Sequence, residues 1–169
     1  MFRIGEKVVY PNQGVGVIEN VSSRWFGAQH ERFYLLRLLC SSLTVMVPRS
    51  HVSDLGLRKV TRNGEIEKVL AFLANSGRCA SCGDWKDRFK ENSEKMKSGR
   101  LLEIAEVLKS LLVLQSSKPL SFREKKMLDR ARFMLISEIS VSRSIPAEMA
   151  AEMLSRALMK VSLSLPAAL

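Results

Sequence analysis

The hydrophobic period of this chain changes once, across the stretch GLRKVTRNG at residues 56–64, and that change requires two kinds of structure in succession. Before it, apolar residues come in short runs, EKVVYP, VGVIENV, ERFYLLRLL and SLTVMVP, separated by turn formers and polar residues. In the last run Leu43, Val45 and Val47 alternate with Thr44 and Met46, a period of two that sends neighbouring side chains to opposite faces of a strand. NQGVG is a glycine-rich turn, and Pro11 and Pro48 flank strands, where a missing N–H does little harm. Several short strands in this space predict a small, strongly bent sheet or barrel.

After the change the spacing is helical. Val69, Leu70, Phe72 and Leu73 predict a short helix that ends before the loop NSGRCASCG. DWKDRFKENSEKMKS follows as a basic helix. In RLLEIAEVLKSLLVL, Leu101, Ala105, Leu108 and Leu112 share a face; in SFREKKMLDRARFMLISEI, Leu128, Ala131, Leu135 and Ile139 share another. Ser121 with Glu124 three residues on is a capping-box start. Pro146 suits the first turn of a last helix in AEMAAEMLSRALMKV, and SLSLPAAL is expected to be frayed or loosely docked. The expected class is α+β in two domains, a small β barrel at 1–60 and an all-α helical bundle at 64–162.

Charge divides unevenly between them. The net charge is +10, with 7 basic and 4 acidic residues before position 59 and 20 against 13 from position 59 onward. The helical part therefore carries most of the basic excess, which suits an anionic partner, nucleic acid first. Apolar residues make up 46% of the chain, enough for packed cores. Met1 to Lys7 contain no apolar signal core, no run is long enough to cross a bilayer, and three cysteines do not make a disulfide framework. A soluble cytoplasmic protein with no membrane partner is expected.

Little chemistry is written into the sequence. Cys79 and Cys82 have the spacing of half a zinc site, but Cys40, His30 and His51 supply no matching second half. No phosphate-binding loop and no nucleophile elbow occur. No enzymatic activity, cofactor or metal is expected, and two thiols in a reduced loop are the plain alternative to a sensor.

Trp85 stands out. Trp85, Phe89 and Met96 fall on one stripe of the basic helix, and for Phe89 and Met96 that stripe is core. Trp85 occupies the first turn, beside a loop and among Lys86, Arg88 and Lys90. A flat apolar ring beside phosphate-seeking cations is the chemistry of a wedge against unstacked bases. Lys95, Lys97 and Arg100 continue this basic surface, and Arg123, Lys125, Lys126, Arg130 and Arg132 form a second group. Without a helix-turn-helix pattern, binding is expected to be driven by the backbone and sensitive to salt.

These residues resemble the CarD/CdnL family of bacterial transcription regulators. The matching stretches are FRIGEKVVYPNQGVGVIENV, FYLLRLL, LTVMVP and DLGLRKV, then DWKDRFKENSEKMKSGRLLEIAEVLKSL and LSFREKKMLDRARFMLISEI, together most of residues 2–140. The resemblance implies a Tudor-like (SH3-like) barrel that docks on the RNA polymerase β subunit through Arg24, Met46 and Pro48. It implies a helical domain whose Trp85, with Lys86, Arg88 and Lys90, meets promoter DNA at the upstream edge of the melted bubble without reading its sequence. The outcome would be a stabilised open complex, with a monomer as the working state. Two positions depart from many relatives: Asp87 stands where a basic residue is common, and Met46 where some have a basic one. Two alternatives remain: a β module for another protein joined to a non-specific nucleic-acid-binding helical domain, and a cysteine-based sensor.

Overall fold

A computed structural model describes residues 1–77 and 84–167, so the readings that rest on Cys79 and Cys82 lie outside the described residues. The chain divides into two compact units, Met1–Val60 and Thr61–Leu169. Among the described residues its layout is α+β, an antiparallel sheet followed by five α-helices.

The first unit holds β1 (Lys7–Tyr10), β2 (Gly14–Phe26), β3 (Gln29–Leu38), β4 (Thr44–Pro48) and β5 (Arg58–Lys59), in the spatial order β4-β3-β2-β1-β5. Val8, Ile18, Tyr34, Leu36, Leu38, Val47 and Leu57 pack together as its core. Burial along β4 follows the alternation read from sequence: Val47 is enclosed while Thr44 and Met46 face out. Leu43 lies just before the strand and is exposed. A register shift between Ile18 and Asn20 kinks β2 against β3, the local device that bends a sheet. Gly16 is required by close packing: a Cβ there would stand 2.7 Å from Leu36 Cδ1 and 2.8 Å from the Arg37 carbonyl oxygen.

Two features differ from the sequence reading. β2 runs on through the polar SSR stretch to Phe26, because Val21 to Phe26 pair residue by residue with β3. β5, two residues long, pairs with Val8 and Val9 of β1, and Lys59 Nζ reaches Glu6 at 2.7 Å.

The second unit holds α1 (Asn63–Ala74), α2 (Trp85–Ser98), α3 (Leu101–Ser117), α4 (Phe122–Arg143) and α5 (Ala147–Met159). Both predicted faces are buried, Leu101, Ala105, Leu108 and Leu112 on α3 and Leu128, Ala131, Leu135 and Ile139 on α4. Ile66 and Leu73 of α1 and Leu154 and Leu158 of α5 complete the core. The Ser121–Glu124 capping box forms, and Pro146 is the residue that caps α5. α2 ends at Gly99 in the left-handed conformation (φ 68°), where a Cβ would be strained. Leu163 and Leu165 of the tail pack against the core. The unit begins abruptly at Thr61: its buried N–H donates to Glu138 Oε1 at 2.8 Å, and Ser142 Oγ donates to its carbonyl at 2.6 Å.

Candidate functional site

The start of α2 is set by Asp84, whose Oδ1 accepts from the Trp85 N–H at 2.7 Å. An acidic cap also complements the positive end of the helix dipole. Trp85 is thereby fixed at the first helical position with 54% of its surface exposed. Lys86 Nζ lies 5.8 Å from the ring centroid, within cation–π range. Lys90 is exposed and has no ion-pair partner among the described residues. Asp87, in the same turn, is exposed.

Arg88 does not join them in solvent. Its side chain is 12% exposed, and Nη2 lies 3.7 Å from Glu124 Oε1, itself at 12%. Its Nε is enclosed without a hydrogen-bond partner. Burial pushes the Glu124 carboxyl up, but the Ser121 N–H and hydroxyl, with the Arg88 and Lys118 charges, outweigh it and hold the group below its ordinary value. Lys95 is also engaged, at 3.2 Å from Glu91 and 3.0 Å from Glu106 of α3. Burial works against its charge, and these two carboxylates more than restore it, raising the Lys95 ammonium above its usual value. Lys97 stays exposed, and Arg100 sits 3.9 Å from Glu103.

α4 opens in a similar way. Phe122, at the first position after the Ser121 cap, is 70% exposed, with Lys126 Nζ 4.6 Å from its ring centroid. Arg123, Lys125 and Arg130 of the same helix are exposed, while Arg132 is half-buried with its Nε enclosed and unpartnered. The sequence reading missed Phe122. The available signal was its place between the cap and the first residue of the buried stripe.

On the β unit, strand register brings Arg24, Met46 and Pro48 to one face. Met46 pairs with Leu35, Pro48 with Phe33 and Arg24 with Glu31, all odd positions of β3. The even positions Tyr34, Leu36 and Leu38 face the core. Arg24 and Met46 are exposed and Pro48 is half-buried. Phe26, exposed at the tip of the β2–β3 hairpin, packs on Phe33 with centroids 5.8 Å apart and extends this apolar face. Trp25 lies on the opposite face, 4.7 Å from the His30 ring.

Among the described residues no cluster of His, Cys, Asp or Glu could hold a metal ion, and no helix is long and apolar enough to cross a membrane. The family model for the CarD-like/TRCF RID domain matches residues 2–61, and that for the CarD C-terminal domain matches residues 68–155. The chain is 36% identical over 145 residues to the Bacillus subtilis (strain 168) protein described as "Putative transcription factor YdeB", covering 86% of this chain and 94% of that one.

Proposed function

The chain belongs to the CarD family, with a Tudor-like β unit and a helical C-terminal domain, and on that premise we propose that it stabilises the promoter open complex from a seat on the RNA polymerase β subunit. The outer face carrying Arg24, Met46 and Pro48 docks on polymerase. The start of α2 meets DNA at the upstream edge of the bubble, where Trp85 wedges and Lys86 and Lys90 hold phosphates. No bond is made or broken by the protein. The observation that carries the reading is the half-exposed indole of Trp85, held at the first position of a basic helix by an acidic cap.

The electrostatics favour this reading over a free-standing DNA binder. Arg88 and Lys95 are engaged with carboxylates, so α2 offers few cations for release of condensed counterions. Weak intrinsic affinity suffices when polymerase holds the domain at high local concentration. A wedge that favours the melted state by about 1.4 kcal/mol shifts the equilibrium tenfold.

Open-complex lifetime on one promoter, with cognate polymerase, tests the reading. Wild type lengthens the lifetime; Trp85→Ala does not, while still binding polymerase. A wild type without effect, or a Trp85→Ala protein with full effect, refutes it.

A further inference from the structure

We infer that Arg88 is a positioning residue: paired with Glu124 of α4, it holds the first turn of α2 so that Trp85 stands out in a fixed direction, and it does not serve as a phosphate contact. The inference rests on the wedge reading above and assigns Arg88 a different role within it.

Burial along α2 shows the orientation. Asn92, Met96 and Gly99 are buried, and Arg88 lies four residues before Asn92 on the same stripe. Except at the opening residue Trp85, which is exposed, the described residues on that stripe turn into their own domain. Its neighbours Lys86 and Lys90 are exposed. A cation meant for phosphate gains nothing from enclosure, whereas the Arg88 guanidinium is nearly covered and one of its nitrogens, Nε, goes unpartnered as a result.

Glu124 has two roles at once. Its Oε2 accepts from the Ser121 N–H at 2.9 Å and from the Ser121 hydroxyl at 2.8 Å, closing the cap of α4. Its Oε1 faces Arg88. One carboxylate therefore joins the first turns of α2 and α4, and those turns carry the exposed rings Trp85 and Phe122. Trp85 precedes Arg88 by three residues, so the two side chains are neighbours on the helix surface.

The two roles of Glu124 can be separated, because glutamine also closes a capping box. Glu124→Gln keeps the cap and removes the charge opposite Arg88. The rival reading, in which Arg88 reaches phosphate, then predicts a gain, since a negative charge near DNA is lost and the arginine is freed. The positioning reading predicts a loss.

The test uses the full chain with Trp25→Phe, which leaves Trp85 as the sole tryptophan. Acrylamide quenching and anisotropy of Trp85 are compared among this parent, Arg88→Gln, Glu124→Gln and the double variant, with circular dichroism confirming folding. Each single variant is expected to loosen the indole, and the double variant to do no more than either, the signature of one shared interaction. Unchanged fluorescence, or additive effects, overturns the inference. In the open-complex assay Glu124→Gln is expected to shorten the factor-dependent lifetime by about threefold or more. An equal or longer lifetime overturns the inference. If the parent itself has no effect on lifetime, the functional reading falls, and the fluorescence series still decides whether Arg88 positions Trp85.

Discussion

Lys109 offers the sharpest test of how the helical domain is held. It sits in α3 at 2% exposure, among leucines. Its Nζ donates to the Phe72 carbonyl at 2.9 Å and to the Asn75 carbonyl, and lies 4.6 Å from the Phe72 ring centroid. Those carbonyls end α1, where unpaired oxygens and the negative end of the helix dipole favour a cation. Lys109→Met keeps the apolar stem and removes the ammonium. Hydrogen bonds to a charged group contribute about 1.5–3 kcal/mol each, but several terms offset the loss here. The Phe72 oxygen retains the Asn75 N–H at 3.3 Å, and Asn75 is exposed, so water can reach its carbonyl. Methionine also avoids the desolvation of a buried ammonium. The net destabilisation is about 1–2 kcal/mol. In a unit of this size each kcal/mol lowers Tm by about 4 °C or more. Every α-helix among the described residues lies in the second unit, so ellipticity at 222 nm follows that unit through a thermal or urea transition. A Tm unchanged or raised in Lys109→Met refutes the reasoning: the ammonium would then cost as much to bury as its carbonyl contacts return.

Further expectations follow from other parts of the molecule. Gly16→Ala forces a Cβ onto Leu36 and the Arg37 carbonyl, and is expected to destabilise the β unit by about 1–3 kcal/mol and weaken polymerase binding, with the helical transition unmoved. Lys90→Gln should lower the slope of log affinity against log salt by about 1, measured on a polymerase–promoter complex, whereas Lys95→Gln should lower the Tm and leave the slope nearly alone. Because the folded Glu124 carboxyl titrates below its ordinary value of 4.5, its contribution is complete above that pH and is lost as the pH falls through the lowered value. Urea midpoints measured from about pH 6 down to pH 3 should therefore fall, and less steeply in Glu124→Gln.

The sequence displayed best what periodicity encodes. The buried faces of α3 and α4 and the Ser121–Glu124 cap are local patterns, and they form as read. β5 was hidden because two residues carry no period, and its place is decided by pairing with Val8 and Val9. The far half of β2 was hidden because its residues are polar or exposed and are held by β3. At the site, the exposure of Trp85 followed from its place at a helix start. The inward turn of Arg88 did not, because residue type argued for solvent. Its spacing to Asn92 and Met96 was the contrary signal. Lys109 was obscured in the same way, although it shares the face of Leu101, Ala105, Leu108 and Leu112.

α2 is fastened to its domain differently from its neighbours. Its buried residues are Asn92 and Met96, against eight on α3, and its further attachments include the pairs Arg88–Glu124 and Lys95–Glu106, the Ser98 hydroxyl donating to Glu103, and half-buried Phe89. Segments with few apolar contacts open at a free energy well below that of global unfolding. The backbone amides of α2 should accordingly exchange with solvent through brief detachments that leave α3, α4 and α5 intact. The tryptophan is thus carried on a helix expected to come loose before the bundle unfolds, and any partner that grips it must also quiet that motion. Occupancy would be recorded in the exchange rates of one helix, and a part of the binding free energy would be spent on stilling it.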